Sequence, residues 1–283
     1  MALGLTFAQH AWAQACDTSC AVDQQDRNGC CRAKPPSSVA QAPNTVASIV
    51  EVGARVEVDW RSQTLGDFKA IPAGTYRMGS TAMGGSDPRP EVTLTRGFWL
   101  MESEVTQGMW AAVMGTNPRT VDPCGSSCPV RDVSWEEVQD FVAKASARDG
   151  VQYRLPTEAE WEWAARGGEE HEYSGAADVG AVAWYDDNSG GTPHPVCEKQ
   201  RNGFGLCDMS GNAWEWVSDR FGRYDAGTVV DPIGAAAGTD RVFRGGGWDN
   251  LGLMTRVWLR SKLAQFERYA PVGFRLARSH QGP

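Results

Sequence analysis

The chain has 283 residues, 41% of them hydrophobic and 22% charged, enough apolar side chain for a sizeable core and unlike a disordered or collagenous polymer. With 27 basic and 35 acidic residues the net charge is -8, so no general attraction to nucleic acid or an anionic membrane follows, and no apolar run reaches the ~18 residues of a transmembrane helix. Thirty-two glycines and 15 prolines favour a loop-rich domain over a bundle of long helices.

Residues 1–15 are nearly free of charge and end in Ala13-Gln14-Ala15, a small-x-small sequence of the kind cut after an export signal. They read as the remnant of a signal peptide, with a periplasmic or secreted destination. Cys16 follows directly and permits a lipid anchor, but Ala13 stands where a lipoprotein signal has leucine, which argues against one. Residues 16–66 form a leader containing Cys16, Cys20, Cys30 and Cys31 and a Pro/Ser/Ala-rich linker from Lys34 to Ala47. The domain itself is placed at 67–283. The eight cysteines fall in local groups, as expected for disulfides in an oxidising compartment. Cys124 with Cys128, and Cys197 with Cys207, are the expected structural pairs. Zinc on the four early cysteines is disfavoured, because the vicinal Cys30-Cys31 spacing suits chelation poorly.

Phe68 to Ser80 mixes apolar and turn residues and predicts strand, turn and strand; Glu91 to Met101 continues in β character. Three helix starts follow. Thr106 precedes QGMWAAVMG, Ser134 forms a capping box with Glu137, and Thr157 forms one with Glu160. In the second, Val138, Phe141, Val142 and Ala145 share one face; the third stops at Gly167-Gly168. Beyond it the chain reads as loop-dominated, with short β segments near Arg241–Arg244 and Gly273–Ala277. Trp161, Trp163, Trp214, Trp216, Trp248 and Trp258 are expected in the core, because a fold with few regular elements gains most from such large side chains.

Seven segments carry a more specific signal: IPAGTYRMGS (71–80), EVTQGMW (104–110), CPVRDVSWEEV (128–138), RLPTEAEWEWAARGG (154–168), NGFGLCDMSGNAWEW (202–216), FRGGGW (243–248) and GFRLA (273–277). In this order they resemble the formylglycine-generating enzyme, or sulfatase-modifying factor, family over about residues 67–278. The resemblance implies an α+β, irregular, loop-rich single domain related to the C-type lectin fold.

Asp208 and Glu215 bracket a glycine-containing loop, and a hard cation such as calcium takes several oxygens, backbone carbonyls included. The resemblance implies a structural calcium on the side chains of Asp208 and Glu215 and the carbonyls of Gly211 and Ala213. A second family calcium site maps poorly, since Ala183 stands where an asparagine would fall; Asp186, Asp187 and Asn188 read as a solvated turn.

Active members are implied to bind copper through two cysteines in the C-terminal loop, thiolates suiting soft Cu(I). No cysteine follows Cys207 here, so copper is not expected. His194, between prolines, reads as a loop residue. Two functions remain open. In the first, a binding or accessory module presents Asn250, Leu251, Leu253, Met254, Phe266 and Tyr269 to an unknown protein, peptide or small molecule. The second is a tailoring oxidoreductase like the periplasmic pyoverdine-maturation branch, with Glu267, Asp249 and Arg256 as candidate acid–base groups. A buried Glu267 in a closed pocket would favour the enzyme, and an open apolar rim the binder. A formylglycine-generating oxidase is the least favoured third reading. Arg275 is expected to be an internal brace.

Overall fold

The computed structural model describes residues 59–81, 88–116 and 122–279. The early cysteines, the export-signal sequence and the linker lie outside them. Three sheets and a few short helices make up the fold. The largest sheet places β1 (Trp60–Ser62), β2 (Gly66–Ile71), β5 (Phe98–Met101), β12 (Ala277–Ser279) and β6 (Tyr153–Arg154) side by side, all antiparallel. A second contains β10 (Arg260–Ala264), β9 (Asp240–Arg244), β7 (Trp214–Arg220) and β11 (Val272–Phe274), with β11 parallel to β7. The third is β3 (Gly74–Arg77), β4 (Glu91–Leu94) and β8 (Thr228–Val230). β2 and β3 are the expected strand–turn–strand, but they enter different sheets rather than pairing as a hairpin.

The three expected helices are α1 (Gln107–Met114), α2 (Trp135–Asp149) and α3 (Glu158–Arg166). The Thr106, Ser134 and Thr157 side chains each accept from the backbone N–H three residues on, satisfying a donor that the first helical turn leaves free. Each helix ends on a glycine in the left-handed conformation, Gly115, Gly150 and Gly167. A single further turn, α4, covers Val179–Val182.

The segment after α3 is loop-dominated, as the sequence suggests, with its short strands β9 and β11 near the expected positions. It supplies the whole four-stranded sheet, and β7 is the longest strand, four of its first residues buried. Its run of tryptophans, Val217 and acidic residues does not alternate like a half-exposed strand, because both its faces are covered.

The α2 stripe buries Val138, Phe141 and Ala145; Phe141 stacks on Trp110 of α1 at 5.5 Å and meets Phe274 of β11 edge-on at 5.1 Å. Trp161, Trp214, Trp216, Trp248 and Trp258 are buried as expected, while Trp163 is half-buried. Disulfides join Cys124 to Cys128 and Cys197 to Cys207, and no free cysteine occurs among the described residues. No helix of the described chain is long and apolar enough to cross a membrane.

Candidate functional site

The acidic loop between the second disulfide and β7 meets the end of β11 around Arg275. This arginine is fully buried. Its Nε and Nη2 each donate to Glu215 at 2.7 Å, and further N–H groups reach the carbonyls of Met101, Glu102 and Cys207. Glu215 Oε2 also accepts from Trp161 Nε1 at 2.8 Å. The brace expected of Arg275 is present, and both oxygens of Glu215 are engaged by it.

Asp208 and Glu104 share that buried space. Asp208 Oδ2 accepts from the Cys197 N–H at 2.6 Å, but Asp208 Oδ1 and both Glu104 carboxylate oxygens are buried without a hydrogen-bond partner among the described residues. Burial first, then the Asp208 charge, pushes the Glu104 carboxyl well above its usual range. Asp208 is pushed up to about 6, chiefly by burial. Three carboxylates thus face one guanidinium, an imbalance that a proton or a hard cation would relieve. The unpartnered oxygens are the right donors for calcium. Glu215 could join such an ion only by giving up a bond to Arg275 or Trp161.

Around this cluster the backbone adopts unusual conformations. Asp208 and Asn212 have φ of 54° and 60°, and Gly211 has 79°. A Cβ on Gly211 would lie 2.3 Å from the Trp184 carbonyl oxygen, so glycine is required by close approach as well as by φ. Ala213 is buried at the entry to β7. The remaining family loop is the solvated turn expected of it: Asn188 bonds the Ala183 carbonyl and the Tyr185 N–H, with Asp186 and Asp187 exposed.

The C-terminal loops lie beyond Trp214, whose Nε1 donates to Asn250 Oδ1 at 2.5 Å. Asn250 is therefore oriented by the core. Asp249 beside it is exposed, and partial burial raises its carboxyl despite Arg131 nearby. Arg131 is held by Asp122 at 2.6 and 2.8 Å, packs 4.8 Å from the Trp248 ring centre, and Gln107 adds a bond to Asp122 at 2.7 Å. Glu267 is exposed, and Arg256 pairs with Glu172 at 3.0 Å. The three candidate acid–base groups do not share a closed pocket. Leu251, Phe266 and Tyr269 are exposed at 57%, 61% and 42%, while Leu253 and Met254 are half-buried. His194 stacks on Trp184 at 3.6 Å and bonds the Ser189 carbonyl, as a loop residue would.

The model of the sulfatase-modifying factor enzyme 1-like domain matches residues 55–280. The chain belongs to that family. It is 35% identical over 177 residues to the formylglycine-generating enzyme of Streptomyces coelicolor, covering 53% of this chain and 52% of that one. With the Bos taurus formylglycine-generating enzyme the identity is 30%, covering 60% and 51%. The chain spans about half the length of these enzymes. The chaperone protein LppX of Paenibacillus barcinonensis is 26% identical, covering 64% of this chain and 78% of LppX. Among solved structures, Treponema denticola variable protein 1 has a TM-score of 0.73 at 29% identity, covering 79% of this chain and 99% of that one. PvdO from Pseudomonas aeruginosa shares the fold, with a TM-score of 0.66 at 24% identity over 78% and 98%.

Within this sulfatase-modifying factor domain, Glu104 is the residue that sequence reasoning missed. It lies in the EVTQGMW motif, where it reads as the last charge before a helix. Its raised carboxyl comes from burial and then from the charge of Asp208, far away in sequence. The Gln107–Asp122–Arg131 chain was missed too, each member sitting in a motif with no local sign of the other two. Among the described residues, one set of acid and cysteine side chains has metal-compatible spacing, Glu102 with Cys197 and Cys207, and its sulfurs are joined to each other.

Proposed function

We propose that this sulfatase-modifying factor domain is an exported binding or accessory module that recognises its ligand through the C-terminal loops. The observation that carries the reading is the open position of Glu267, flanked by exposed Phe266 and Tyr269 with exposed Leu251 on the neighbouring loop. A general acid or base works in a site that excludes water, whereas exposed apolar groups among charges form a recognition surface. The absence of cysteine after Cys207 also supports the reading, since Cu(I) chemistry needs thiolate ligands. Two internal disulfides suit export to an oxidising compartment. Incubation with Cu(I) and a cysteine-containing sulfatase peptide should leave the peptide mass unchanged; conversion to formylglycine would overturn the proposal.

We further propose a structural calcium on Asp208 and Glu104, with the carbonyls of Gly211 and Ala213. When bound it would neutralise the buried acids; no chemistry is asked of it. The unpartnered oxygens of Glu104 and Asp208 support this assignment.

The second reading is a tailoring oxidoreductase. Asp249 supports it, with a raised carboxyl beside Arg131 and Trp248. Asp249→Asn would then abolish turnover without changing the melting temperature, whereas a binding module would lose affinity alone.

A further inference from the structure

A separate cavity of about 430 Å³ opens on the far end of β7, where the chain turns out of that strand toward β8. Its walls include Met78, Pro90, Val229 and Ala235, and its charged lining is Glu158, Asp219, Arg220, Arg223, Asp225 and Arg260. Most of these charges are already committed. Glu158 accepts from the Tyr224 hydroxyl at 2.8 Å and from Arg260 at 2.7 Å. Arg260 also bonds the Gly222 carbonyl and lies over the Phe221 and Tyr224 rings at 4.5 and 4.3 Å. Arg220 donates to the Gly238 carbonyl.

Asp219 differs from the others. Only 3% exposed, it uses Oδ2 twice, for the Glu158 N–H at 2.9 Å and the Ser218 hydroxyl at 3.0 Å. These bonds help to hold the start of α3. Asp219 lines the cavity, and the bonds it accepts from described residues all fall on Oδ2. At the rim Arg223 is exposed and its guanidinium makes no ion pair or hydrogen bond with a described residue. The cavity lining thus combines a nearly buried acid, an exposed arginine with no described partner and apolar side chains. A simple amine would meet the rim arginines, and a simple anion would meet Asp219.

We propose that this cavity binds a free α-amino acid with an aliphatic side chain, its ammonium on Asp219 and its carboxylate on Arg223. The apolar side chain lies against Met78, Pro90 and Val229. Burial, and then the Glu158 charge, pushes Asp219 up to about 7, so an incoming ammonium stabilises the ionised acid and displaces a proton near neutrality. This site is independent of the C-terminal loops and of the calcium assignment.

The test is isothermal titration of the full chain with L-leucine, N-acetyl-L-leucine and L-leucine methyl ester, in two buffers of different ionisation enthalpy. Leucine should bind with proton release. Blocking the amine should weaken binding by about tenfold or more, since it leaves the buried Asp219 unpaired, and blocking the carboxylate, held by the exposed Arg223, by about two- to fivefold. Asp219→Asn keeps an oxygen for the α3 N–H and should lose about tenfold in affinity; Arg223→Ala alters an exposed residue and should lose about two- to fivefold. Arg223→Ala keeps the test valid should Asp219→Asn fold poorly. No binding of leucine or any other aliphatic amino acid at ~10 mM would overturn the proposal. So would equal binding of the blocked compounds, or affinity unchanged in Arg223→Ala.

Discussion

Arg275 and Glu215 form a buried bidentate ion pair that ties β11 to β7, with both side chains fully excluded from solvent. Removing one partner leaves the other charged and unsolvated, whereas replacing both removes the cost along with the attraction. Arg275→Met should therefore lower unfolding free energy by about 3–5 kcal/mol, and the Arg275→Met/Glu215→Leu double variant by clearly less than the two single variants combined. Urea denaturation of the four proteins measures this coupling. Strict additivity would show that the pair is not a brace.

Calcium should raise the melting temperature, by the equivalent of about 2.7 kcal/mol when the free ion is one-hundredfold above its dissociation constant. Chelation should reverse the rise. Glu104→Gln and Asp208→Asn should abolish the response, and Glu104→Gln should be no less stable than the parent in chelator, since it removes a buried acid that has no hydrogen-bond partner. Differential scanning calorimetry with and without chelator decides it; a melting temperature indifferent to calcium removes the assignment.

Asp219 predicts a distinct pH dependence. Its carboxyl is raised in the folded state from an ordinary 3.8 to about 7, so the folded protein binds this proton more tightly than the unfolded chain. The resulting contribution is fully present below about 3.8 and lost as pH rises through about 7. Relative to Asp219→Asn, the parent should gain roughly 1–3 kcal/mol between pH 7.5 and pH 4.5. Parallel stability curves for the two proteins would contradict this.

The second disulfide closes a longer loop than the first, ten residues against four. Loop-closure entropy gives about 3 kcal/mol for Cys197–Cys207 and about 2 kcal/mol for Cys124–Cys128. Replacing each pair by serine should rank in that order in chemical denaturation. The Cys197–Cys207 variant should also weaken the calcium response, because the Cys197 N–H orients Asp208.

Leu251→Ala, Phe266→Ala and Tyr269→Ala should each change stability by no more than about 1 kcal/mol, consistent with exposed positions. A larger loss in thermal melting would make these side chains part of the core and remove the proposed recognition surface.

Local signals were the legible ones. Thr106, Ser134 and Thr157 announce helix starts because capping is settled within four residues, and the two disulfides join cysteines close in sequence. Arg275 was readable because the GFR motif carries it. What escaped depended on distance along the chain. β7 was hidden because burial on both faces erases alternation, and the role of Glu104 exists only once Asp208 is beside it. The amino-acid cavity was equally illegible, since Asp219 faces it only after α3 is anchored on the same side chain.

β12 is not an edge strand. It lies between β5 and β6, and β11 pairs with β7, so the last strands complete two sheets begun much earlier. Neither sheet is therefore complete without residues 272–279. A premature stop codon just before Val272 would thus be as damaging as one in the middle of the described residues, because it strips a strand from two layers at once.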